Sequence, residues 1–302
     1  MSRPYTGKIL LYGEYSILLQ QKALATPLSS KTGHWAMNLA EDNRSLRNWH
    51  DDLLRAGEEE DYDLERFWQD LNLGLSFQSN IPMGYGVGSS GALVAAFYAR
   101  YARHAIHFQN PHRFPELRKK LGALESYFHG NSSGTDPLVS YLNQSLQLHK
   151  EDIQTIDLPR APEGYLFFLL DCGMSRQTSP LVQHFIRRMR TDSTYATAIN
   201  QSYVAVIEQA IHSHCVGKFQ DLQSIWQILS PMQLAYFAEM IPQGILPFWK
   251  TGNAEAHTYM KLCGAGGGGY MLGLSHLPLG DLTAFLKPFS VIPLPSLSAE
   301  EP

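Results

Sequence analysis

Glu125 and Asp136 bracket the segment ESYFHGNSSGTD. Glu125 is expected near the end of a helix, and Asp136 in the turn-rich loop that follows. One carboxylate could hold a divalent cation while the other orients an attacking hydroxyl. Phosphoryl transfer needs that division of labour, because positioning and charge neutralisation supply most of its catalysis. His129 lies four residues beyond Glu125, on the same face if the helix persists. A lone histidine is weak evidence for catalysis or metal binding, so a structural role is expected for it. The bland alternative for the whole segment is a helix closed by Gly130 and an acid in a turn.

A glycine-rich loop precedes this segment. Asn80 to Ala92 reads NIPMGYGVGSSGA and runs directly into LVAAFYARYARHAIH, which is rich in strong helix formers. Gly84, Gly86, Gly88 and Gly91 let backbone approach a ligand closely and adopt positive φ. The loop delivers its amides to a helix N-terminus, where unpaired N–H groups and the helix dipole favour an anion. Ser89 and Ser90 add hydroxyls suited to a phosphate oxygen or a metal ion. A flexible helix cap is the alternative, but it needs fewer glycines. A second run, GAGGGG at Gly264 to Gly269, lies between two extended segments. Its expected use is close backbone approach, either to the first loop or to bound phosphates. Both runs satisfy G-x-G-x-x-G. Neither has the strand, helix and distal acid that a dinucleotide fingerprint requires, and no GxxxxGK[ST] is present.

Lys8 and Glu14 are charges inside an otherwise apolar stretch, GKILLYGEYSILL. Buried charge is costly unless paired, so each predicts a partner or a path to solvent.

The elements that must carry these residues follow from pattern. Gly7 to Leu19 reads as strand, bend at Tyr12-Gly13-Glu14, and second strand. Arg44 to Leu73 has apolar residues at helical spacing, broken by a loop around Gly57 and the acid run Glu58–Asp61. A helix is expected over Pro115–Phe128, ending at Gly130, and an apolar stretch from Leu138. Pro159, Pro162 and Gly164 mark the best domain boundary, giving domains of 1–160 and 161–302. Beyond it, GYLFFLLDCG reads as a buried strand. Pro180–Leu229 reads as largely helical with a break near Val216-Gly217, and Met260–Leu274 as strand, glycine turn, strand. The tail from Ser296 is expected to fray.

Composition bounds the function. The chain has 302 residues, 28 acidic and 24 basic, with 44% hydrophobic and 17% charged. Such a chain can bury a sizeable core, and two domains are the prior. A net charge of -4 offers no global field for nucleic acid. The cysteines Cys172, Cys215 and Cys263 form no CxxC pair, which argues against a disulfide framework and fits a reducing, cytoplasmic setting. No signal peptide is seen, and runs such as Ala92–Ala99 and Tyr165–Leu170 are too short to span a membrane.

Taken together, GKILLYGEYSIL, PMGYGVGSSGA and KLCGAGGGG resemble the three motifs of the GHMP kinase superfamily, in order and spacing. Within it, ESYFHGNSSGTD is most like the mevalonate kinase family, whose segment reads E-x-x-x-H-G-x-P-S-G-x-D, and DCGMSRQT (Asp171–Thr178) is similar to that family's stretch after the domain boundary. The resemblance implies an α+β, two-domain GHMP kinase fold: an N-terminal domain like ribosomal protein S5 domain 2 and a ferredoxin-like C-terminal domain. It implies transfer of the ATP γ-phosphate to a small-molecule hydroxyl, mevalonate in the first instance, with Mg²⁺ as cofactor. Asp136 would be the catalytic carboxylate and Lys8 the catalytic-site cation. Ser90 and Glu125 would ligate Mg²⁺. Gly84, Gly86, Gly88, Ser89 and Ser90 would cradle the phosphates, with Gly264, Ala265, Gly266, Gly267 and Gly268 closing the site. Glu14, Tyr15, Arg176 and Thr178 would lie near the substrate. Neither nucleic acid nor membrane is an expected partner, and assembly is left open between monomer and homodimer. Alternatives are a phosphomevalonate or sugar kinase of the superfamily, and a non-catalytic binding protein on the same fold. Four positions depart from the mevalonate kinase pattern: Tyr15 for His, Ser132 for Pro, Cys263 for Thr, and Gly91 for Ala.

Overall fold

The computed structural model describes residues 3–175 and 178–298, and no side chain is described for residues 129, 178 and 179. In chain order the elements are β1 (Tyr5–Tyr12), β2 (Ala23–Met37), α1 (Arg44–Arg55), α2 (Leu64–Asn72), β3 (Leu75–Ser79), α3 (Ser89–Tyr101), α4 (Phe114–His129), α5 (Thr135–Leu142), β4 (Ser145–His149) and β5 (Asp152–Ile156). Then come β6 (Leu166–Asp171), α6 (Thr178–Thr191), α7 (Ser193–Ala198), α8 (Val204–Cys215), α9 (Phe219–Tyr236), α10 (Leu246–Ala254), β7 (Thr258–Leu262), β8 (Tyr270–Ser275), α11 (Leu279–Phe285) and β9 (Ser290–Pro293). Helices and antiparallel strands are mixed along the chain, as an α+β class requires. No helix among the described residues is long and apolar enough to cross a membrane.

The chain divides into two compact units. The first comprises Met1–Lys8, Thr26–Pro82 and Val87–Gln144; the second Ile9–Ala25, Met83–Gly86 and Ser145–Pro302. Strands β1 and β2 therefore each contribute residues to both.

In the first unit, β2 pairs antiparallel with β3, from Gly33 opposite Ser79 to Met37 opposite Leu75. The helices cover a core of aromatic rings in which Trp49, Phe67 and Phe97 are fully enclosed. Phe67 meets Phe97 edge to face at 5.0 Å. α4 ends where the sequence expects, with Gly130 left-handed at φ +73°. α3 ends earlier than its helix-forming sequence suggests. Its last residue is Tyr101, because Ala102 turns extended to bridge Tyr62 and the Arg103 amide donates to Asp61 O. A tertiary pairing here overrides local propensity.

In the second unit, β6, β7, β8 and β9 form an antiparallel sheet in the order β7-β8-β6-β9. The glycine run joins β7 to β8, and Leu262 opposite Met271 closes their register. β4 pairs with β5 and with Ala23–Ala25 of β2. The helical stretch breaks at Gly217 as expected (φ +72°), but α9 continues through Pro231 to Tyr236. Two expectations fail here. The stretch after Glu14 is a 3-10 turn, Ser16–Leu19, and not a strand. Positive φ at Gly13 (+110°) and Tyr15 (+61°) reverses the chain, and the Ile17 amide donates to Gly13 O at 2.9 Å. Nor is the chain frayed at Leu297 and Ser298; residues 299–302 of the expected tail lie outside the described residues. Leu297 and Ser298 are buried, and Ser298 Oγ accepts from the Phe167 amide at 2.9 Å.

Candidate active site

The first unit gathers Lys8, Gly88, Ser90, Glu125 and Asp136. Lys8 lies on β1, and its backbone N–H donates to Val87 O at 2.9 Å, seating the strand against the glycine loop. Asp136 was expected in a loop. It occupies the first turn of α5 instead, where the helix dipole favours a carboxylate. Lys8 Nζ approaches Asp136 Oδ1 at 3.0 Å, and the acid is the more accessible partner, 29% exposed against 10%. Gly88 caps α3 with φ +78°, and no side chain caps the helix in its place. A Cβ at Gly88 would lie 3.3 Å from Lys8 Cγ and 3.6 Å from Asp136 Oδ2. Glycine thus holds backbone amides close to that pair. Ser89 opens the helix.

Glu125 is buried on α4 between two serines. Ser90 Oγ donates to Glu125 Oε1 at 2.8 Å, and Ser132 Oγ donates to Glu125 Oε2. Burial, and secondarily the Asp136 charge, push the Glu125 carboxyl up to about 7, against the opposing pull of the two serines and Lys8. These are hard oxygen donors of the kind Mg²⁺ takes. Among the described residues no cluster of three or more His, Cys, Asp or Glu could hold a metal alone. Ser90 and Glu125 could therefore supply part of the oxygen shell of such a cation.

Two of the departures from the family pattern acquire a physical content. Ser132 does more than bond Glu125: its Oγ accepts from the Gly134 amide at 3.0 Å, and its own amide donates to Ser126 Oγ at 3.1 Å. Proline could supply neither the hydroxyl nor the N–H. At Gly91, a Cβ would lie 2.8 Å from Pro137 N and 2.9 Å from Asp136 Cβ. Alanine would push α5, and Asp136 with it, away from α3.

The remaining expected residues lie in the second unit. Gly84 and Gly86 have φ of +76° and +70°. Glu14 is fully enclosed and ion-paired with Lys261, also fully enclosed. Tyr15 donates its hydroxyl to Ala265 O at 2.6 Å. In the glycine run, the Gly267 amide donates to Met240 O at 2.6 Å and the Gly269 amide to Met174 O at 2.8 Å. Those two N–H groups are committed to protein carbonyls, while Gly264, Ala265, Gly266 and Gly268 complete the turn. Arg176 lies outside the described residues. Thr178 opens α6, but its side chain is not described, and the same holds for His129 at the end of α4.

Ser132 and Lys261 are the site-related residues that sequence reasoning missed. Ser132 was visible only as a departure from proline. Lys261 is a lone cation in the apolar strand TYMKL, the mirror of Glu14, and two lone opposite charges in apolar stretches are a signal of pairing.

Residues 56–144 match the family model described as GHMP kinases N terminal domain, which covers Ser90, Glu125 and Asp136. The chain is 23% identical over 285 residues to a mevalonate kinase of Archaeoglobus fulgidus, covering 89% of this chain and 90% of that one. It is 24% identical to a mevalonate kinase of Aeropyrum pernix over 65% of this chain, and spans only 59% of that relative's length. Among solved structures, the L. major mevalonate kinase bound to R-mevalonate superposes with a TM-score of 0.63 at 17% identity, covering 95% of this chain and 93% of that one. The Streptococcus pneumoniae phosphomevalonate kinase, solved with phosphomevalonate and AMPPNP, superposes with a TM-score of 0.65 at 15% identity, covering 97% and 100%. The fold is thus the two-domain mixed α/β fold of the GHMP kinases. The resemblance is to the GHMP superfamily, and within it to mevalonate kinase.

Proposed function

We propose that this chain is an ATP- and Mg²⁺-dependent kinase that phosphorylates a small-molecule hydroxyl, with mevalonate as acceptor and 5-phosphomevalonate as product. The observation that carries it is the Lys8–Asp136 contact at 3.0 Å, on the Gly88 face of α3 and beside the serine-held Glu125. A binding protein needs no such arrangement. Lys8 holds Oδ1 of Asp136, which leaves the carboxylate to orient the acceptor hydroxyl and accept its proton. Lys8 also stabilises charge that develops on the reacting oxygens. Gly86, Gly88, Ser89 and Ser90 present amides and hydroxyls to the phosphates at the N-terminus of α3. Ser90 and Glu125 would hold the cation, whose contribution is to neutralise phosphate charge in the transition state. Arg176, if it grips the acceptor carboxylate, would do so with paired hydrogen bonds.

With the kinase goes a functional division at residues 160/161, into an ATP-binding N-terminal and a C-terminal domain. A cytoplasmic setting suits three cysteines, Cys172, Cys215 and Cys263, that are not joined in disulfides. The test is ADP release from Mg-ATP over mevalonate, phosphomevalonate, homoserine and galactose. Turnover of mevalonate above the others is expected. Turnover of phosphomevalonate or a sugar alone would overturn the acceptor and keep the kinase. No ADP release with any acceptor would favour a non-catalytic binding protein.

A further inference from the structure

We propose that Glu14 and Tyr15 form a two-point clamp on the glycine-rich turn, and that they set nucleotide affinity without touching the acceptor. The inference rests on the kinase function proposed above.

The first point is electrostatic. Glu14 pairs with Lys261 in the fully enclosed interior of the second unit. The same Lys261 Nζ donates to Leu262 O at 2.7 Å. Leu262 is the last residue of β7, just ahead of Cys263 and Gly264. A single ammonium thus ties the Glu14 carboxylate to the backbone at the entry of the turn. The second point is the Tyr15 hydroxyl, which donates to Ala265 O, inside the turn, at 2.6 Å. Its ring is stacked on Phe237 at 4.9 Å and packed against Phe185 at 4.7 Å. The phenol is aimed by its ring neighbours and 4% exposed. Its one proton is spent on Ala265, which is a poor arrangement for greeting an acceptor.

The backbone supports the same assignment. Tyr15 sits at φ +61°, a conformation aromatic residues avoid. Strain of this kind persists only where surroundings over-determine it. Here it points two consecutive side chains at the two flanks of one turn. The turn in its place abuts the first glycine loop: a Cβ at Gly269 would lie 2.9 Å from Tyr85 Cα. Tyr85 stands between Gly84 and Gly86, and its ring meets Tyr270 edge to face at 5.0 Å. Clamp, turn and the Tyr85 backbone form one continuous packed series. Loosening the clamp releases the turn against Tyr85, the residue before Gly86, which the proposed function gives to the phosphates.

The test compares wild type with Tyr15→Phe and with the double variant Glu14→Gln/Lys261→Met. Tyr15→Phe keeps the ring packing and deletes one hydrogen bond. The double variant removes both charges together, since removing one would strand the other in the core. AMPPNP binding is measured by calorimetry, folding by thermal melting, and KM separately for ATP and the acceptor. Loss of one hydrogen bond predicts about a twofold to tenfold rise in AMPPNP Kd and ATP KM for Tyr15→Phe, with acceptor KM unchanged. The double variant is expected to weaken AMPPNP in the same direction. A rise in acceptor KM with ATP KM unchanged would make Tyr15 an acceptor contact and end the proposal. So would unaltered AMPPNP binding in Tyr15→Phe, and an effect in Tyr15→Phe alone would remove the Glu14 point. Failure of the wild type to bind AMPPNP would refute the kinase function and the clamp with it. Wild-type binding with unaltered variants refutes the clamp alone.

Discussion

Glu125→Gln should stabilise the folded chain and cripple it as a kinase. Burial, chiefly, pushes the folded-state carboxyl up from an ordinary 4.5 to about 7. Between those values the native state holds a proton that the unfolded chain has released. Stability from this group therefore falls as pH rises through about 4.5 to about 7, and is flat above. The loss by pH 8 is on the order of 3 kcal/mol. Glutamine fills the same volume, still accepts from Ser90 or Ser132, and never ionises. Urea unfolding in EDTA at pH 5, 6, 7 and 8 should show the two proteins near parity at pH 5. By pH 8 the variant should lead by up to ~3 kcal/mol. In the same protein, the Mg²⁺ concentration for half-maximal ADP release should rise severalfold, since a hard cation loses a charged oxygen. Parallel stability profiles would show that Glu125 is not held at a desolvation cost. An unchanged Mg²⁺ titration would remove it from the cation site.

Asp136→Asn should lower kcat about 10²- to 10⁴-fold with little change in ATP affinity, as loss of a proton acceptor does; near-normal kcat would sink the role. Gly88→Val should weaken AMPPNP binding in calorimetry more than it lowers the melting temperature, since φ +78° strains any side chain and a Cβ would press on Lys8 Cγ at 3.3 Å; wild-type affinity in a folded variant would contradict the phosphate loop. His214 is held near 4 by burial, against an ordinary 6.5, so its contribution is present above 6.5 and is lost as pH falls toward 4. His214→Gln should flatten urea stability across that window, by up to ~3 kcal/mol, and an unaltered slope would refute it. Arg176→Ala should raise acceptor KM with kcat retained if the guanidinium grips a carboxylate; a fall in kcat with unchanged KM would put it on the phosphoryl group instead.

How much was legible depended on range along the chain. Motifs local in sequence were readable: the glycine loop opening α3, Gly130 ending α4, and the glycine turn between β7 and β8 all follow from turn and cap chemistry. Errors arose where distant contacts outvoted local preference. Ser16–Leu19 is apolar and strand-like, yet positive φ at Gly13 and Tyr15 folds it into a 3-10 turn. α3 stops at Tyr101 because Ala102 is captured by Tyr62. Leu297 and Ser298 look like a frayed tail, yet they pack beside Ala161 and Phe167. The lone charges were legible as a demand and not as an answer. Lys8 finds Asp136, and Glu14 finds Lys261 at a separation of 247 residues. No local pattern can name a partner at that range; only the polarity mismatch can say that one must exist.

Two departures from the mevalonate kinase pattern bear on the proposed centre. Gly91 lets α3 and α5 approach until a Cβ would crowd Asp136 at 2.9 Å, which fixes where that carboxylate stands relative to Gly88. Ser132 gives Glu125 a second hydroxyl and draws the Gly134 amide onto the same oxygen, which fixes the loop leading into α5. One change shortens the helix contact beneath Asp136; the other braces the loop ahead of it. Both bear on how Asp136 and Glu125 are held, which is the positioning that a phosphoryl-transfer centre of the proposed kind needs.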